Sequence, residues 1–207
     1  ACWKTYLGRP ESDWVRCTGL GVLGTALLQS SRPEEALPVL EAGLALTQRH
    51  LPHHKQLIVV TQGNLTNCLG SLGRHDEALV LIREVHAVLV AALGVSHQDS
   101  LGSANNVAAA LLNLNRHDEA KILLRDTLST ARTTLGDDHR ATLIFGMSLT
   151  DAIRSDPNAT RDDLHEAETI MQGVVQRRRR ILGPTHPDTR DSEDLLRAVR
   201  ADLANAS

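Results

Sequence analysis

Apolar residues recur at spacings of three, one and three along most of the chain, and the same stripe returns in successive segments. This spacing puts apolar side chains on one helical face and predicts pairs of amphipathic helices. The first helices carry the stripes Leu23, Ala26, Leu27; Leu65, Cys68, Leu69, Leu72; Val107, Ala110, Leu111, Leu114; and Leu149, Ala152, Ile153. The second helices carry Val39, Leu40, Leu44; Ala78, Leu81, Ile82, Val85, Leu89; Ala120, Leu123, Leu124, Leu128, Ala131; and Ala167, Ile170, Met171, Val174. A pair with two apolar stripes cannot bury both alone, so we expect the pairs to stack on one another.

Two polar markers repeat with one shared period. The sequence Gly-Arg-His-Asp-Glu-Ala at 73–78 returns 42 residues later as Asn-Arg-His-Asp-Glu-Ala at 115–120. Imperfect copies lie at 32–36 and 163–167. A Leu-Gly-x-x-His sequence begins at Leu93, Leu135 and Leu182. Two interleaved markers with a period of this length indicate a stacked repeat architecture.

We therefore predict an all-α fold, a single solenoid of antiparallel helix pairs. The predicted repeats are 17–51, 55–93, 97–135 and 139–182, and a capping helix follows at 187–203. Arg197 stands where the other first helices have a small residue, which indicates a polar end to the array. Residues 1–16 are predicted to be the tail of a preceding repeat or an N-terminal cap. The chain begins without Met, so we expect it to be processed or cut from something longer.

Composition excludes several functional classes. The formal net charge of −3 is spread along the 207 residues, so no global field favours nucleic acid or an anionic membrane. No apolar run is long enough to cross a membrane. The three cysteines, Cys2, Cys17 and Cys68, form no Cys-x-x-Cys pair, which favours a reducing compartment. We expect a cytoplasmic protein, with an organellar location left open by the missing Met.

Histidines, which often serve as catalytic residues or metal ligands, here recur with the repeat. Five of the ten histidines recur with the period: His97, His139 and His186 at one turn position, and His75 and His117 at another. We interpret them as turn and cap residues. The cluster His50, His53 and His54 is interpreted as a solvated turn, with adventitious metal binding as the alternative. No catalytic or phosphate-binding motif occurs, so we predict no enzyme, no metal site and no cofactor.

Two segments depart from the repeat pattern. The fourth repeat is five residues longer, and residues 155–161 are the predicted insertion between its two helices. We interpret this segment as a longer exposed loop, with a specific contact loop as the alternative. Residues 177–180 are four consecutive arginines. We interpret them as a solvated helix end, with contact to an anion, nucleic acid or an import receptor as the alternative.

Paired small residues give the repeat a family resemblance. Gly24, Thr66 and Ala108 each stand twelve residues before a marker alanine, which is Ala36, Ala78 or Ala120. This offset resembles the tetratricopeptide repeat. The 42-residue length and the sequence Leu-Gly-Pro-Thr-His-Pro-Asp-Thr at 182–189 make the chain similar to the kinesin light chain subfamily in particular. The resemblance implies a right-handed superhelical solenoid whose first helices line a concave groove that binds extended peptide segments.

The resemblance also implies which residues bind a ligand. A groove-facing Asn two residues before the small residue is matched by Asn64 and Asn106, whereas the first and fourth repeats have Val22 and Ser148. The predicted peptide-binding residues are Gln29, Asn64, Asn67, Ser71, Asn106, Asn113, Ser148 and Asp151. Chaperone-binding members carry a Lys one turn earlier, where this chain has Thr18, Val60, Gly102 and Ile144. We therefore expect neither capture of a chaperone's terminal carboxylate nor selection of a strongly acidic peptide.

Three functional hypotheses follow from these residues. The first is a protein-protein interaction scaffold or adaptor that binds an extended peptide segment in the groove. The alternatives are a permanent structural subunit of a larger assembly, or the regulatory or sensor arm of a longer multidomain protein. We expect protein or peptide partners, no small-molecule substrate, no membrane insertion and no nucleic acid. No catalytic constellation supports an enzyme.

Overall fold

The computed structural model describes residues 14–51, 53 and 55–206, with residues 55 and 56 described by their backbone alone. The helices are α1 Trp14–Gln29, α2 Pro33–His50, α3 Lys55–Ser71, α4 His75–Leu93, α5 Gln98–Asn113, α6 His117–Thr134, α7 Arg140–Arg154, α8 Arg161–Leu182 and α9 Pro187–Asn205. Odd-numbered helices are the first of each pair, and even-numbered helices are the second. The predicted all-α fold is confirmed, whereas the repeat bounds stay a prediction and the segment 1–13 lies outside the described residues.

The chain divides into two compact units between Ala87 and Val88, a position within α4. In the first unit α1 packs on α2, α2 packs on α3, and α1 also contacts α3. In the second unit each helix from α5 to α9 packs on the next along the chain, and α7 also contacts both α5 and α9. Within each unit, consecutive helices therefore pack together, and first helices also contact first helices.

Small residues set the close approach within each pair. Thr66, Ala108 and Thr150 are buried at one register of the first helices, and Gly24 occupies that register in α1. A Cβ on Gly24 would lie 2.3 Å from Cδ2 of Leu40 in α2, so a larger residue would push the two helices apart. The marker alanines that pair with these positions are themselves buried, which explains why both registers are small.

The stripe predicted for α1 is wrong at Ala26, which is exposed, and Leu23 is only half-buried. The buried face of α1 consists of Cys17, Gly19, Leu20, Gly21 and Gly24. Cys68, at the register of Ala26 one repeat later, is covered by α2, and its Sγ lies 3.3 Å from the carbonyl oxygen of Pro33. No described helix precedes α1 to cover Ala26 in the same way.

Repeated turns end the helices. The first helices α1, α3 and α5 are followed by residues with positive φ, Ser31, Gly73 and Asn115. In the second of these turns the amide of Arg74 donates to the carbonyl of Leu69 at 2.9 Å, the bond of a Schellman cap. Gly94, Gly136 and Gly183 have φ near +90° after the second helices, as their positions in the marker sequence predict.

Three of the recurring histidines cap the N-termini of first helices, which confirms their interpretation as cap residues. The Nδ1 atoms of His97 and His139 each accept a hydrogen bond at 3.2 Å from the amide two residues later, and His186 does so at 3.1 Å. Each imidazole thereby satisfies one of the backbone donors that the first turn leaves unpaired. His75 and His117 are the first residues of α4 and α6.

The insertion in the fourth repeat is not a plain exposed loop, because Asp156 is buried and paired. Its Oδ2 lies 2.6 Å from Nζ of Lys121 in α6, and the two side chains are 4% and 8% exposed. Burial acts to lower the pKa of Lys121, but its hydrogen bonds to Asp156 and Asp118 outweigh burial and raise it. Burial acts to raise the pKa of Asp156, and the contacts with Lys121 and the Asn158 amide reverse this and lower it. The loop is therefore fixed to the body of the second unit.

Replacing His139 with Ala should destabilise the second unit by about 1 kcal/mol, because the first turn of α7 loses its side-chain cap. Replacement with Asn should preserve most of the stability, since an Asn side chain caps a helix in the same way. Urea unfolding followed by circular dichroism measures both changes. Equal losses in His139→Ala and His139→Asn would show that packing, and not the cap, is what the imidazole supplies.

Replacing Lys121 with Met should cost about 3 kcal/mol near neutral pH, because Asp156 is left buried without its partner. The loss of stability should be smaller in Lys121→Met/Asp156→Asn, because that variant leaves no unpaired charge. Arg197→Ala is the control: it breaks the exposed ion pair of Arg197 with Asp194 in the same unit, and its cost should be near zero. Because folding lowers the pKa of Asp156, the pair stabilises above the unfolded-state pKa of about 4 and loses that effect as pH falls further. Denaturant unfolding at neutral and at acid pH measures the free energy of unfolding of the wild type and of Lys121→Met. An equal difference between the two proteins at both pH values would contradict this account.

Candidate functional site

The predicted binding residues are polar positions of the first helices in both units, here called the amide row: Gln29, Asn64, Asn67, Ser71, Asn106, Asn113, Ser148 and Asp151. Asn64 and Ser148 are half-buried, and the other six are exposed. Spacings of three, four and seven residues put the members of one helix on a common face. Gln29, Asn64, Asn67 and Ser71 belong to the first unit, and the other four belong to the second.

The amides of this row are free of intramolecular bonds. Within the described part of the chain, no hydrogen bond engages the side chains of Gln29, Asn64, Asn67, Asn106 or Asn113, whereas the Ser71 hydroxyl donates to the carbonyl of Asn67 at 3.0 Å. Each free amide offers two donors and an acceptor. The row can therefore bond a ligand backbone whatever the side chains of the ligand are.

A groove of about 410 Å³ lies between α1 and α3, here called the α1–α3 groove. It brings together Gln29 and Asn64 of the amide row with Val22 and Val60, which are 70% and 54% exposed. The sequence pattern does not single out the two valines as site residues, because each stands where an Asn or a Lys is expected. The sequence feature that could have identified them is their position in the repeat, because they stand at the positions that the groove residues occupy in the neighbouring repeats.

Asp151 is the charged member of the amide row and lies in the second unit. Desolvation by the surrounding protein raises the pKa of its carboxyl, and nearby Arg154 lowers it in part. Arg154 itself donates to Oδ2 of Asp202 in α9 at 2.6 Å. The carboxylate of Asp151 is therefore accessible to a ligand yet incompletely hydrated.

The arginine run 177–180 pairs with groups of the second unit, so its interpretation as a solvated helix end holds for the exposed Arg179 and Arg180 and is wrong for Arg178. Arg178 is buried, and its guanidinium donates to the carbonyl of Asp188 at 2.6 Å and to the hydroxyl of Ser192 at 2.8 Å. Desolvation lowers the pKa of Arg178. The other three pair with acidic groups: Arg177 with Asp137 and Asp138, Arg179 with Glu193, and Arg180 with Asp138. The run connects α8 to α9 and to the turn before α7.

Other sites considered from the sequence find no support in the described residues. Among them, no group of three His, Cys, Asp or Glu side chains is placed to hold a metal ion. His54 lies outside the described residues, as does Cys2, while Cys17 and Cys68 are buried and form no disulfide with each other. Of the helices described, none combines the length and the apolar character needed to cross a membrane.

A family model for the tetratricopeptide repeat matches residues 59–99, 100–141 and 159–188, together more than half of the chain. The chain belongs to the tetratricopeptide repeat family. The predicted resemblance is thereby confirmed, and this tetratricopeptide array is a protein-interaction scaffold. No curated protein sequence matches it significantly.

Solved structures show the same fold at low sequence identity. A Podosopora anserina protein assigned to the kinesin light chains, with nearly identical TPR-like repeats, is 22% identical, with a TM-score of 0.71 over 95% of this chain and 98% of that one. BtubC (BKLC) from P. vanneervenii is 16% identical, with a TM-score of 0.74 over 93% and 76%. A Rap protein complexed with Competence and Sporulation Factor is 15% identical, with a TM-score of 0.54 over 95% and 55%.

Proposed function

We propose that this tetratricopeptide array is a non-enzymatic adaptor that binds an extended segment of a partner protein along its first helices. The observation that carries the proposal is the amide row, whose five Asn and Gln side chains have no bonds to other described residues. Elsewhere in the chain polar side chains are widely paired, as Lys121 and the arginine run are. Accessible amides left unpaired in a repeating register suit recognition of a ligand backbone.

Two further features support a peptide rather than a small molecule as ligand. The row recurs on successive first helices, so its members can bond an extended chain at intervals. The Rap protein that shares this fold holds Competence and Sporulation Factor, so a fold of this kind accommodates a ligand. We extend this to the present chain as part of the proposal, with a cytoplasmic location and a protein or peptide as partner.

Replacing Asn64 and Asn106 together with Ala should weaken peptide binding about tenfold or more, because two bonds to the ligand backbone are lost. The probe is a displayed library of random nonapeptides, selected on the wild type, whose enriched members are then measured on each variant by fluorescence anisotropy. Gln48→Ala/Asn205→Ala, which removes two exposed amides outside the row, should bind as the wild type does.

Circular dichroism should be unchanged in both double variants, since no hydrogen bond joins the four side chains to other described residues. Equal affinity of the selected peptides for Asn64→Ala/Asn106→Ala and for the wild type would place binding away from the amide row. That result would favour a permanent subunit that uses another surface.

A further inference from the structure

The α1–α3 groove has no ionisable group among the described residues that line it. Two other grooves of similar size, about 430 and 480 Å³, lie in the second unit, and charges dominate both. Arg179, Glu193, Arg197 and Arg200 line the first of these, and Asp137, Asp138, Arg177 and Arg180 line the second. The α1–α3 groove therefore differs from these two grooves in that its described lining carries no charge.

The polar groups inside the α1–α3 groove are mostly occupied. The hydroxyl of Thr18 donates to the carbonyl of Trp14 at 2.9 Å, that of Thr25 to Gly21 at 2.9 Å, and that of Thr61 to Leu57 at 2.8 Å. A hydroxyl whose proton is committed to its own helix cannot donate to a ligand, although its oxygen can still accept a hydrogen bond. The threonines therefore supply no free hydroxyl donor to the groove.

Two valines supply the exposed apolar surface. Val22 of α1 and Val60 of α3 both line the groove, and more than half of the surface of each is exposed. An apolar ligand side chain placed against them would remove this surface from water, which is favourable. A charged side chain in the same place would lose hydration without gaining a partner of opposite charge, which is costly.

Among the described lining residues, the free side-chain donors are the amides of Gln29 and Asn64. A Cβ on Gly21 would lie 3.7 Å from Nδ2 of Asn64, so this amide reaches across from α3 to the backbone of α1. Gln29 lies two turns further along α1. Amides in these positions can bond the backbone of a segment whose side chain enters between the valines.

We propose that the α1–α3 groove selects an uncharged aliphatic or aromatic side chain of the bound segment, while Asn64 and Gln29 bond the backbone beside it. The proposal rests on the proposed function and adds the chemistry of the ligand. The groove discriminates against acidic and basic side chains alike, because neither finds a counter-charge there. Specificity in the first unit therefore comes from apolar contact and exclusion of charge.

A specificity switch at Val60 tests this assignment. The random nonapeptide library is selected separately on the wild type, Val60→Asp, Val60→Lys and, as a matched control, Val80→Asp. Val80 is an exposed valine of α4 in the same unit, 61% exposed and outside the groove. Because both valines are exposed, we expect all variants to fold, as circular dichroism and thermal unfolding would verify.

The wild type and Val80→Asp should enrich Val, Leu, Ile, Met or Phe at one peptide position. Val60→Asp should shift that position about tenfold toward Lys and Arg, and Val60→Lys should shift it toward Asp and Glu. A charged residue selected by the wild type, or an apolar preference unchanged in both Val60 variants, would overturn the proposal. Dimerisation in sedimentation analysis that Val60→Asp abolishes would also overturn it, because the groove would then receive a second copy of the chain.

The failure of this inference is distinguishable from failure of the proposed function. Suppose that Asn64→Ala/Asn106→Ala loses peptide binding, while Val60→Asp and Val60→Lys bind with the selectivity of the wild type. That result would support binding by the amide row and contradict the assignment of the α1–α3 groove. Absence of any enriched peptide on the wild type would overturn both.

Discussion

Each helix pair carries two apolar stripes and can bury them only against a neighbour, and the rest of the structure depends on this constraint. Close approach within a pair requires small residues at fixed registers, which is why Gly24 lies against Leu40 and why the marker alanines are buried. Once second helices cover one side of the first helices, their other face remains accessible. The exposed members of the amide row, and Val22 and Val60 of the α1–α3 groove, are therefore not needed for packing.

Charge serves mainly to hold the second unit together. The arginine run pairs with acidic groups of neighbouring elements, and Lys121 fixes the insertion of the fourth repeat through Asp156. The contacts of Lys121 with Asp156 and of Arg180 with Asp138 join residues 35 and 42 positions apart, so they connect adjacent repeats where apolar packing alone would be less specific. In the first unit, by contrast, the described residues that line the α1–α3 groove carry no charge. Under the proposed function, ligand recognition there rests on amides and apolar side chains.

The fold is readable from the sequence because helical spacing and the two markers are local signals with one period. Cap residues such as His139 are readable for the same reason. The burial of Asp156 is not, since its partner Lys121 is 35 residues away and no local pattern connects them. Ala26 stands at the same repeat position as Cys68, but no described helix covers it as α2 covers Cys68. Val22 and Val60 cannot be recognised as site residues from the motif. Comparison with the motif shows that a polar residue is missing at each position, but it does not show that the valines form an exposed apolar surface.

The most direct test of the amide row observes its side chains during binding. Two-dimensional ¹H–¹⁵N spectra record the side-chain NH₂ resonances of Asn64 and Asn106 as a peptide selected on the wild type is added to saturation. We expect both resonances to shift, with those of Asn205, which lies outside the row, unchanged. Shifts confined to residues of the second helices, with Asn64 and Asn106 unmoved, would contradict binding along the first helices.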